Sequence, residues 1–523
     1  MEQPQHGDDH HKAKARLIVL ESIPRDSPTM SKISRMLVLQ LISSEGWDLM
    51  SFDVKAAFLQ GTQSDRVLGL EPVPELSSAM KLKTNEICQL VKGAYGLVDA
   101  PYLWYQTLRG ELISLGFQTS PFDPCVFVLY DDHKKPIGVI GVHVDDGLCG
   151  GTPEFHKKLQ QLEKKYPFGS KKMGKFTFTG IDLQQNPDHS IALSQSKYVR
   201  NIKAIPITQQ RKLEVNAPVT DEERQQLRGL IGSLQYASVH TRPDLSSRLS
   251  ALQSKINSAT VDVLMHANKA LHEAKSHHDV TVVVQPIRAA DLRFLAFTDA
   301  SFASKKVPDS QSGNIIVATH KNIEQNISCP ISPLAWGSKK IQKVVTSTLA
   351  AETMSLSSSL DMLSWIRLYW AWIYNPNDAW KHPTETLETL PNAVATATYE
   401  KSSIPSSLAA TDCKSLYDLV TRTAPPNCQE FRTQLQTRAI KEQLAEGVNL
   451  RWVHSGAQLA DALTKVMESH FLRETLRVGR YKLNDEAEVL RERACTKTRL
   501  KWLREGMLRM GVDDAGTNEA AEN

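Results

Sequence analysis

The spacing of apolar and polar positions changes several times along the chain. From Arg16 to about Val199, short runs rich in β-branched and aromatic residues alternate with amphipathic segments. Residues 102–117 carry apolar side chains at helical spacing, whereas residues 124–144 form two apolar runs joined by a polar turn. This part of the chain is therefore predicted to mix helices with a sheet.

Helical spacing dominates the next segment. Residues 221–239 and 260–277 both place apolar side chains at intervals of three and four. Between them, "TRPDL" (241–245) predicts a turn that enters another helix. Residues 221–278 are interpreted as a helical insert or connector.

Strand and helix patterns alternate in the rest of the chain. Residues 292–303 predict a strand, and residues 346–373 predict one long helix. The remaining predictions, in order, are a strand at 407–412, a helix at 413–420, a strand at 449–454 and a helix beginning near Gln458.

Both ends of the chain differ in composition from what lies between them. Residues 1–13 are polar and predicted to be disordered, although their histidines and aspartates leave a metal site open. Beyond about residue 485, a basic amphipathic helix leads into an acidic polar end. A solvated surface helix and a nucleic-acid or partner contact are both open readings of it.

Charge and cysteine content narrow the class of protein. The formal net charge is +4, with 62 Lys and Arg against 58 Asp and Glu, which permits a nucleic-acid partner without requiring one. The seven cysteines form no CxxC pair and no zinc-ligand spacing, which favours reduced thiols inside a cell. No apolar run approaches the roughly 18–20 residues of a membrane span, so we expect a soluble, intracellular protein.

Two adjacent acids, Asp145 and Asp146, follow the apolar run that ends at Val144. Because side chains alternate along a strand, both can point one way only if a tight turn lies there, and we expect Gly147 to permit it. Crowded carboxylates raise one another's proton affinity unless a divalent cation neutralises them. Mg²⁺ suits such ligands, and Asp53, at the end of its own apolar run, is the candidate third carboxylate.

From Lys14 to Lys465 the chain resembles the reverse transcriptase and ribonuclease H part of Ty1/copia-type retrotransposon Pol polyproteins. The landmarks that carry this resemblance occur in one order: "KARLIV", "GWDLMSFDVKAAFLQG", "LVKGAYGLVDAPYLWY", "FDPCVF", "HVDD", "LIGSLQYAS", "TRPDL", "WGSKKIQ", "STLAAE" and "QLADALTK". So many ordered motifs make a chance match remote.

The resemblance implies roles for single residues of the polymerase. It places the three metal-binding aspartates of the palm at Asp53, Asp145 and Asp146. It also places the following residues around the nucleotide: Phe58 under its sugar, Arg16 at its triphosphate, and Tyr95 and Gly96 in the segment bordering its pocket. Phe58 also suits packing in the palm core, and a solvated strand charge remains open for Arg16.

The same resemblance implies a second set of acids, for a ribonuclease H. Its Asp, Glu, Asp, Asp set falls on Asp299, Glu352, Asp412 and Asp461. A solvent-facing helix glutamate is the alternative for Glu352. His454, seven residues before Asp461, is interpreted as an ordinary histidine at a strand end rather than an aid to product release.

The chain also departs from the family pattern. His143 stands where the family has Tyr, a change expected either to alter contacts with the primer end or to add a titratable group. Val98 and Tyr102 occupy positions that are basic in the family, and the fingers segment after "KARLIVL" is short.

The expected fold is α+β and α/β: a right-hand polymerase palm and fingers with a helical thumb or connection, followed by a ribonuclease H-like domain. The predicted divisions are a disordered N-terminus (1–13), fingers and palm (14–215), thumb or connection (216–285), ribonuclease H-like domain (290–475), and basic helix with acidic tail (476–523).

The resemblance implies an RNA-directed DNA polymerase with ribonuclease H activity. The implied cofactor is Mg²⁺, two ions per active site, with Mn²⁺ as a substitute. The implied partners are an RNA template, a DNA primer, an RNA–DNA hybrid and dNTPs, with dimerisation and other Gag or Pol products left open and no membrane. The implied location is a cytoplasmic particle or the nucleus. Two alternatives remain: a decayed copy that binds nucleic acid without catalysis, and a chain in which only the nuclease half works.

Overall fold

The computed structural model describes residues 27–83, 85–303, 309–376, 404–423, 428, 430–466 and 469–484. Contacts divide the chain into two compact units. Of the described residues, the first unit contains those up to Ser34 together with Met50–Met173, and the second contains Arg35–Leu49 together with those from Gly174 onward. The predicted arginine Arg16, the N-terminal segment 1–13 and the basic helix with its acidic tail beyond residue 484 lie outside the described residues.

Helices and strands alternate through the first unit. In chain order they are α1 (Lys32–Ser44, which continues into the second unit), β1 (Met50–Val54), α2 (Ala57–Gln60), β2 (Gln63–Leu70), α3 (Pro74–Met80), β3 (Cys88–Lys92), α4 (Ala100–Ser114), β4 (Gln118–Thr119), β5 (Val126–Tyr130), β6 (Pro136–His143), β7 (Asp146–Gly151), α5 (Pro153–Lys165) and β8 (Phe168–Met173).

The centre of the first unit is an antiparallel sheet. Its strand order is β4-β5-β6-β7-β1-β8, and β2 pairs separately with β3. The middle strands β5, β6 and β7 are almost continuously buried, which explains why their sequences are apolar runs rather than alternating ones. The sheet brings β1 beside β7, so Asp53 and the Asp145–Asp146 pair meet at one place.

The second unit begins with a small sheet and a group of helices. These elements are β9 (Lys175–Phe178), β10 (Ile181–Gln185), β11 (Ile191–Ser194), α6 (Ser196–Asn201), α7 (Gln209–Leu213), α8 (Asp221–His240), α9 (Ser246–Ser254), α10 (Val261–Ser276) and β12 (Val282–Val284). The four strands pair in the order β12-β11-β10-β9.

Local sequence explains where the main helix of this group begins. The Thr220 side chain accepts a hydrogen bond from the Glu223 backbone N–H, and the Glu223 carboxylate accepts one from the Thr220 backbone N–H. This capping box satisfies two of the N–H groups that a helix start leaves unpaired. The helix then buries Leu227 and Leu234 in a core shared with α9 and α10.

A larger mixed sheet forms the rest of the second unit. Its elements are β13 (Leu292–Ser301), β14 (Gln311–His320), β15 (Cys329–Lys340), α11 (Thr348–Tyr374), β16 (Ser407–Thr411), α12 (Lys414–Thr421), α13 (Phe431–Ala445), β17 (Val448–Trp452), a 3-10 helix Leu459–Leu463, α14 (His470–Val478) and β18 (Arg480–Tyr481).

This sheet has the order β17-β16-β13-β14-β15-β18. Strands β13, β14 and β15 are antiparallel neighbours, whereas β16 and β17 run parallel to β13. Helix α11 packs on β13 and β14, where Trp370 meets Phe294 edge to face at 6.2 Å. The expected mixture of α+β and α/β architecture is confirmed.

Most of the predicted elements are confirmed, with one clear error. The helices predicted over 221–239, 260–277 and 346–373 are α8, α10 and α11. The helix predicted from Gln458 is wrong, because a 3-10 helix of five residues stands there and the next α-helix starts at His470. The Gln458 side chain accepts from the Ala460 N–H and donates to the Thr298 carbonyl at 2.9 Å, which fixes this short turn against β13.

The five domain limits predicted from the sequence remain a prediction. Among the described residues, every helix is too short or too polar to cross a membrane.

Two candidate carboxylate sites

The first site is built on the hairpin between β6 and β7. Its turn consists of Val144 and Asp145, and Val144 has a left-handed backbone with φ of 62°. Asp146 is the first residue of β7 and pairs with His143 on β6 and with Asp53 on β1. The expected hairpin is therefore present, and the two adjacent aspartates occupy its turn and its first strand position.

Gly147 does not make the turn, which corrects the prediction from the sequence. It lies within β7, buried, opposite Val142 and Phe52. A Cβ atom at Gly147 would lie 2.2 Å from the Phe52 ring, which stacks on Phe168 with centroids 4.4 Å apart. The glycine is needed for close packing, and the turn is made one position earlier by residues of ordinary size.

Backbone and indole hydrogen bonds hold this turn. The Val54 N–H donates to the Asp145 carbonyl at 3.1 Å, and Trp104 Nε1 donates to the Val144 carbonyl at 3.1 Å. On the other side of β1, a Cβ atom at Gly169 would lie 2.7 Å from Asp53 Oδ2. The missing side chain at Gly169 thus leaves room for the Asp53 carboxylate.

The three aspartates of this site are half-buried. Burial, and then the charges of Asp145 and Asp53, raise the pKa of Asp146 to about 6, while Lys172 acts in the opposite direction. Within the described part of the chain, Asp53, Asp145 and Asp146 do not reach the mutual oxygen distance of 4.8 Å that the second site attains. The three carboxylates are therefore neighbours, but they are less tightly grouped than those of the second site.

The predicted nucleotide-pocket residues lie just beyond β1. Phe58 is half-buried in α2, and its ring meets that of Tyr95 edge to face at 5.3 Å. It also packs against Ala94 and Leu97, so the alternative of a core-packing role for Phe58 agrees with its surroundings. Gly96 is exposed and has φ of 91°, a conformation that favours glycine.

The second site gathers acids from four elements. Asp299 lies near the end of β13, Glu352 in the first turns of α11, Asp412 directly after β16, and Asp461 in the 3-10 helix Leu459–Leu463. Oxygens of Asp299, Asp412 and Asp461 lie within 4.8 Å of one another. Because β13 and β16 are parallel neighbours, their ends deliver Asp299 and Asp412 to the same edge of the sheet.

Two residues that the sequence analysis did not single out complete the second site. The Thr464 hydroxyl donates to Asp299 Oδ2. The Lys465 ammonium lies 2.5 Å from Asp461 Oδ1 and 3.6 Å from Asp299 Oδ2. The available signal was the position of Lys465 four residues after Asp461, a spacing that brings side chains together on one helical turn.

Electrostatics in the second site are strongly perturbed. Burial, followed by the charges of Asp299 and Asp412, raises the pKa of Glu352 to about 9. Burial, followed by Asp299 and Asp461, raises the pKa of Asp412 to about 7. Glu352 is only 5% exposed, and its Oε2 has no hydrogen-bond partner among the described residues.

This donor set fits a metal ion. Clustered, buried carboxylate oxygens are the ligands that hard divalent cations prefer, and a cation there would relieve the repulsion that raises these pKa values. Asp299, Asp412 and Asp461 therefore form a candidate metal site, with Glu352 beside it. The solvent-facing alternative for Glu352 disagrees with its burial.

Other acids and the histidine near this site are engaged elsewhere. Asp309 pairs with Lys340 at 2.5 Å, and Asp361 accepts from Gln443 Nε2 at 2.6 Å. His454 follows β17, and its Nδ1 accepts from the Gly456 N–H at 3.0 Å. That hydrogen bond agrees with a structural histidine at a strand end.

Residues 24–219 match the family model of reverse transcriptase (RNA-dependent DNA polymerase). Over 378 residues the chain is 28% identical to the Retrovirus-related Pol polyprotein from transposon RE1 of Arabidopsis thaliana, a match that covers 68% of this chain and 24% of that protein. The chain carries a reverse transcriptase region of the Ty1/copia type.

The chain is also similar to a yeast polyprotein and, more weakly, to a solved viral structure. The transposon Ty1-DR5 Gag-Pol polyprotein of Saccharomyces cerevisiae is 23% identical over 369 residues, covering 65% of this chain and 20% of that protein. A foamy viral protease-reverse transcriptase in complex with RNA/DNA hybrid has a TM-score of 0.42 and 11% identity, covering 84% of this chain and 47% of that one. The chain spans about a quarter of the length of the RE1 polyprotein and a fifth of that of the Ty1-DR5 polyprotein.

The matched reverse transcriptase region includes all three aspartates of the first site and ends before β13. His143, the departure noted beside the aspartate pair, is half-buried and pairs across the hairpin with Asp146. His143 therefore occupies the position on β6 directly opposite Asp146.

Proposed function

We propose that the chain is an RNA-directed DNA polymerase with an associated ribonuclease H activity, as a part of a retrotransposon Pol polyprotein. The observation that carries the proposal is the register of β1 and β7. It sets Asp53 opposite Asp146 and beside Asp145, inside the segment that matches the reverse transcriptase family. Acids at strand ends in such a register suit a site that holds divalent cations.

In the polymerase site, Asp53, Asp145 and Asp146 would hold two Mg²⁺ ions, with Mn²⁺ as a substitute. Bound ions of this kind activate the primer 3′-hydroxyl and stabilise the leaving pyrophosphate. The protein's own part is to fix the carboxylates through the hairpin and to shape the pocket. We assign Phe58 to the sugar, Tyr95 and Gly96 to the border of that pocket, and Arg16 to the triphosphate.

In the nuclease site, Asp299, Glu352, Asp412 and Asp461 would hold the ions that activate water for attack on an RNA phosphodiester. The tight grouping of three of these carboxylates and the burial of the fourth support this assignment. Lys465 balances part of the negative charge at Asp461.

The proposed partners are an RNA template, a DNA primer, their hybrid and dNTPs. Dimerisation and association with other Gag or Pol products remain open within the proposal. We assign the chain to the inside of a cell, in a cytoplasmic particle or the nucleus, because the relatives it matches are retrotransposon polyproteins.

Primer extension tests the polymerase proposal. The full chain is supplied with an RNA template, a DNA primer, dNTPs and Mg²⁺, and we expect extension that Asp145→Asn lowers by at least about a hundredfold, the scale of a lost charge-stabilising group. Asp132→Asn, an exposed acid in the β5–β6 turn, is the control and should leave extension unchanged. Binding of the hybrid without any extension would make the chain a nucleic-acid-binding protein instead.

Hybrid cleavage tests the nuclease proposal. A labelled RNA–DNA hybrid should be cut in its RNA strand in the presence of Mg²⁺, and Asp412→Asn should abolish the cut. The control is Asp418→Asn in α12, where the acid pairs with Lys414 on the same helix. Equal cleavage by both variants would show that Asp412 does not belong to the nuclease site.

A further inference from the structure

Residues 461–465 form a short turn beside the second site, which we call the Asp461 turn. It contains the end of the 3-10 helix Leu459–Leu463 and begins with one of the four acids. Thr464 lies in this turn and is only 6% exposed, so a nucleic-acid strand has almost no surface through which to touch it. Any effect of Thr464 on the site must therefore act through the acids around it.

The Thr464 hydroxyl lies between two of these acids. It donates to Asp299 Oδ2, and its oxygen also lies 3.2 Å from the Asp461 carbonyl oxygen. A hydrogen bond to an ionised carboxylate is stronger than one between neutral groups. The same Asp299 oxygen faces the Lys465 ammonium at 3.6 Å. The turn thus engages Asp299 Oδ2 and leaves Oδ1 as the oxygen available to a cation.

Backbone contacts hold the Asp461 turn itself in place. The Thr464 N–H donates to the Asp461 carbonyl at 3.3 Å, which closes the turn. From β13, Ser301 Oγ donates to the Thr464 carbonyl at 3.3 Å. From helix α9, Ser247 Oγ reaches two further carbonyl groups at the turn, at 2.9 and 3.0 Å. Because the turn is fixed to both the sheet and the helical group, its threonine can hold a neighbouring acid rather than follow it.

A glycine on the neighbouring strand limits the rotamer of Thr464. On β14, Gly313 pairs with Asp299, and a Cβ atom at Gly313 would lie 2.7 Å from Thr464 Cγ2. The threonine methyl group therefore occupies the space that a side chain at position 313 would fill. Since χ1 of a β-branched side chain is restricted, seating the methyl group also limits the direction of the hydroxyl.

Helix α11 holds the backbone of Asp299 independently of Thr464. Ser355 Oγ on this helix donates to the Asp299 carbonyl at 2.8 Å, and Thr298 Oγ1 donates to Ser355 Oγ at 3.0 Å. The backbone at Asp299 is thus fixed without the Asp461 turn. The contribution of Thr464 is therefore to the carboxylate.

We propose that Thr464 is a positioning residue of the nuclease site and holds the Asp299 carboxylate in the orientation that binds a divalent cation. Oxygens of Asp299, Asp412 and Asp461 lie within 4.8 Å of one another, so these carboxylates repel one another when no cation is bound. Without the hydroxyl, that repulsion turns the Asp299 carboxylate away from the other two. The proposal rests on the proposed nuclease function, whose cation Thr464 helps to place.

Metal binding measured without turnover tests this role. Mn²⁺ is titrated calorimetrically into the full chain carrying Asp53→Asn and Asp145→Asn, which suppress binding at the polymerase site. We expect Thr464→Val, which keeps the shape and loses the hydroxyl, to weaken Mn²⁺ binding about 10- to 100-fold, the scale for losing a hydrogen-bond partner of a metal ligand. Thr464→Ser keeps the donor and should restore most of the affinity.

Thr475→Val in α14 is the matched control. Thr475 is buried, and its hydroxyl has no hydrogen-bond partner among the described residues. The same exchange there should leave Mn²⁺ binding unchanged. Thr464→Ala, which is too small to clash, is measured in parallel and should behave like Thr464→Val. Melting temperatures in a chelating buffer verify that each variant is folded.

Hybrid cleavage gives a second readout. Thr464→Val should raise the Mg²⁺ concentration needed for half-maximal cleavage and leave the KM for the hybrid unchanged, because the hybrid does not reach this side chain. The proposal is overturned if Thr464→Val binds Mn²⁺ as tightly as the parent, or if Thr464→Ser loses as much affinity as Thr464→Val. If the parent binds Mn²⁺ but cuts no hybrid, the nuclease function fails, and the affinities of the variants still decide the role of Thr464.

Discussion

Gly147 illustrates how a single residue supports a site without touching its chemistry. Alanine at this position would place its methyl group inside the Phe52 ring, at 2.2 Å, so Phe52 and its partner Phe168 would have to move. We expect Gly147→Ala to lower the free energy of unfolding by about 1–3 kcal/mol, as overpacking in cores does. Chemical denaturation followed by tryptophan fluorescence measures it.

Gly110→Ala is the matched control for this substitution. Gly110 is exposed in α4, with no atom within 4 Å of a new Cβ. Alanine there should be neutral or stabilise by about 0.5–1 kcal/mol, because it removes glycine's entropy cost in a helix. Equal effects of the two substitutions would contradict the packing role given to Gly147.

Glu352 gives a pH-dependent prediction. Since burial and its acidic neighbours raise the pKa of Glu352 from 4.5 to about 9, the folded state holds this proton more tightly than the unfolded one. The associated stability is complete below pH 4.5 and is lost as the pH rises through 9. Glu352→Gln removes that loss, because glutamine stays neutral.

In a chelating buffer we therefore expect Glu352→Gln to melt above the unsubstituted chain at pH 8, by at least about 2 °C, and near it at pH 5. Scanning calorimetry at both values measures the difference. Adding Mg²⁺ should shrink the gap at pH 8, since only the carboxylate gains a cation. A gap that is the same at pH 5 and pH 8 would rule out ionisation as its cause.

Substitution of Lys465 is expected to change the affinity of the second site for a divalent cation. Its ammonium is 2.5 Å from Asp461 Oδ1 and competes for the charge that a divalent cation would meet. We expect Lys465→Met to tighten Mn²⁺ binding several-fold and to lower the melting temperature of the metal-free chain. Isothermal titration with Mn²⁺ measures the first effect, with Lys321→Met, whose lysine pairs with Asp291 at 2.8 Å, as the control. Weaker binding by Lys465→Met would mean that the lysine assists the cation.

At the scale of elements, a buried charge network ties α14 to the helical group. Arg242 donates twice to Asp244, at 2.9 and 2.8 Å, and Arg473 of α14 lies 3.7 Å from Asp244 and 3.0 Å from Glu273. Asp244 is 3% exposed. It therefore compensates two guanidinium groups that water cannot reach.

We expect Asp244→Asn to cost about 3–5 kcal/mol of unfolding free energy, the scale for leaving a buried charge unpaired. Asp279→Asn is the control, because its pair with Arg477 at 3.2 Å is exposed and worth about 0–1 kcal/mol. Urea denaturation of both variants gives the comparison. A loss below 1 kcal/mol for Asp244→Asn would mean that water or another acid replaces the carboxylate.

The helices and strands differ in how well they could be predicted from the sequence. Helices α8, α10 and α11 were predictable, because each carries regular apolar spacing over several turns. Strand β14 was not, because the polar or small residues Ser312, Gly313 and Asn314 precede its short apolar run, and Gly313 leaves room for Thr464. The turn at Val144 was placed one residue late, since glycine is the usual sign of a positive φ and here a β-branched residue adopts it.

At the scale of the whole molecule, the two carboxylate sites belong to different units. Asp53, Asp145 and Asp146 lie in the first unit, and the acids of the second candidate site lie in the second unit. We expect Asp145→Asn to abolish extension and keep hybrid cleavage, and Asp412→Asn to do the reverse. Both assays run on each variant measure this, and loss of both activities in either one would show that the sites depend on each other.

The candidate acids could be proposed from the sequence, because each stands in a motif. The residues around these acids could not be predicted. Ser355 and Thr464 reach Asp299 across more than fifty residues of chain, and Lys465 reaches Asp461 across a single tight turn. The motifs identify the acids, whereas the groups that balance their charge are brought beside them only by folding.

The two-residue turn between β6 and β7 also restricts how genes for this chain can change length. Because side chains alternate along a strand, one inserted codon after His143 would shift the strand that follows and turn Asp146 to the opposite face of the sheet. Both aspartates would still be encoded, yet the site would be lost. The longer turn after Tyr130 carries no such constraint on its exposed residues, so surviving copies should vary in length there before they vary at Val144.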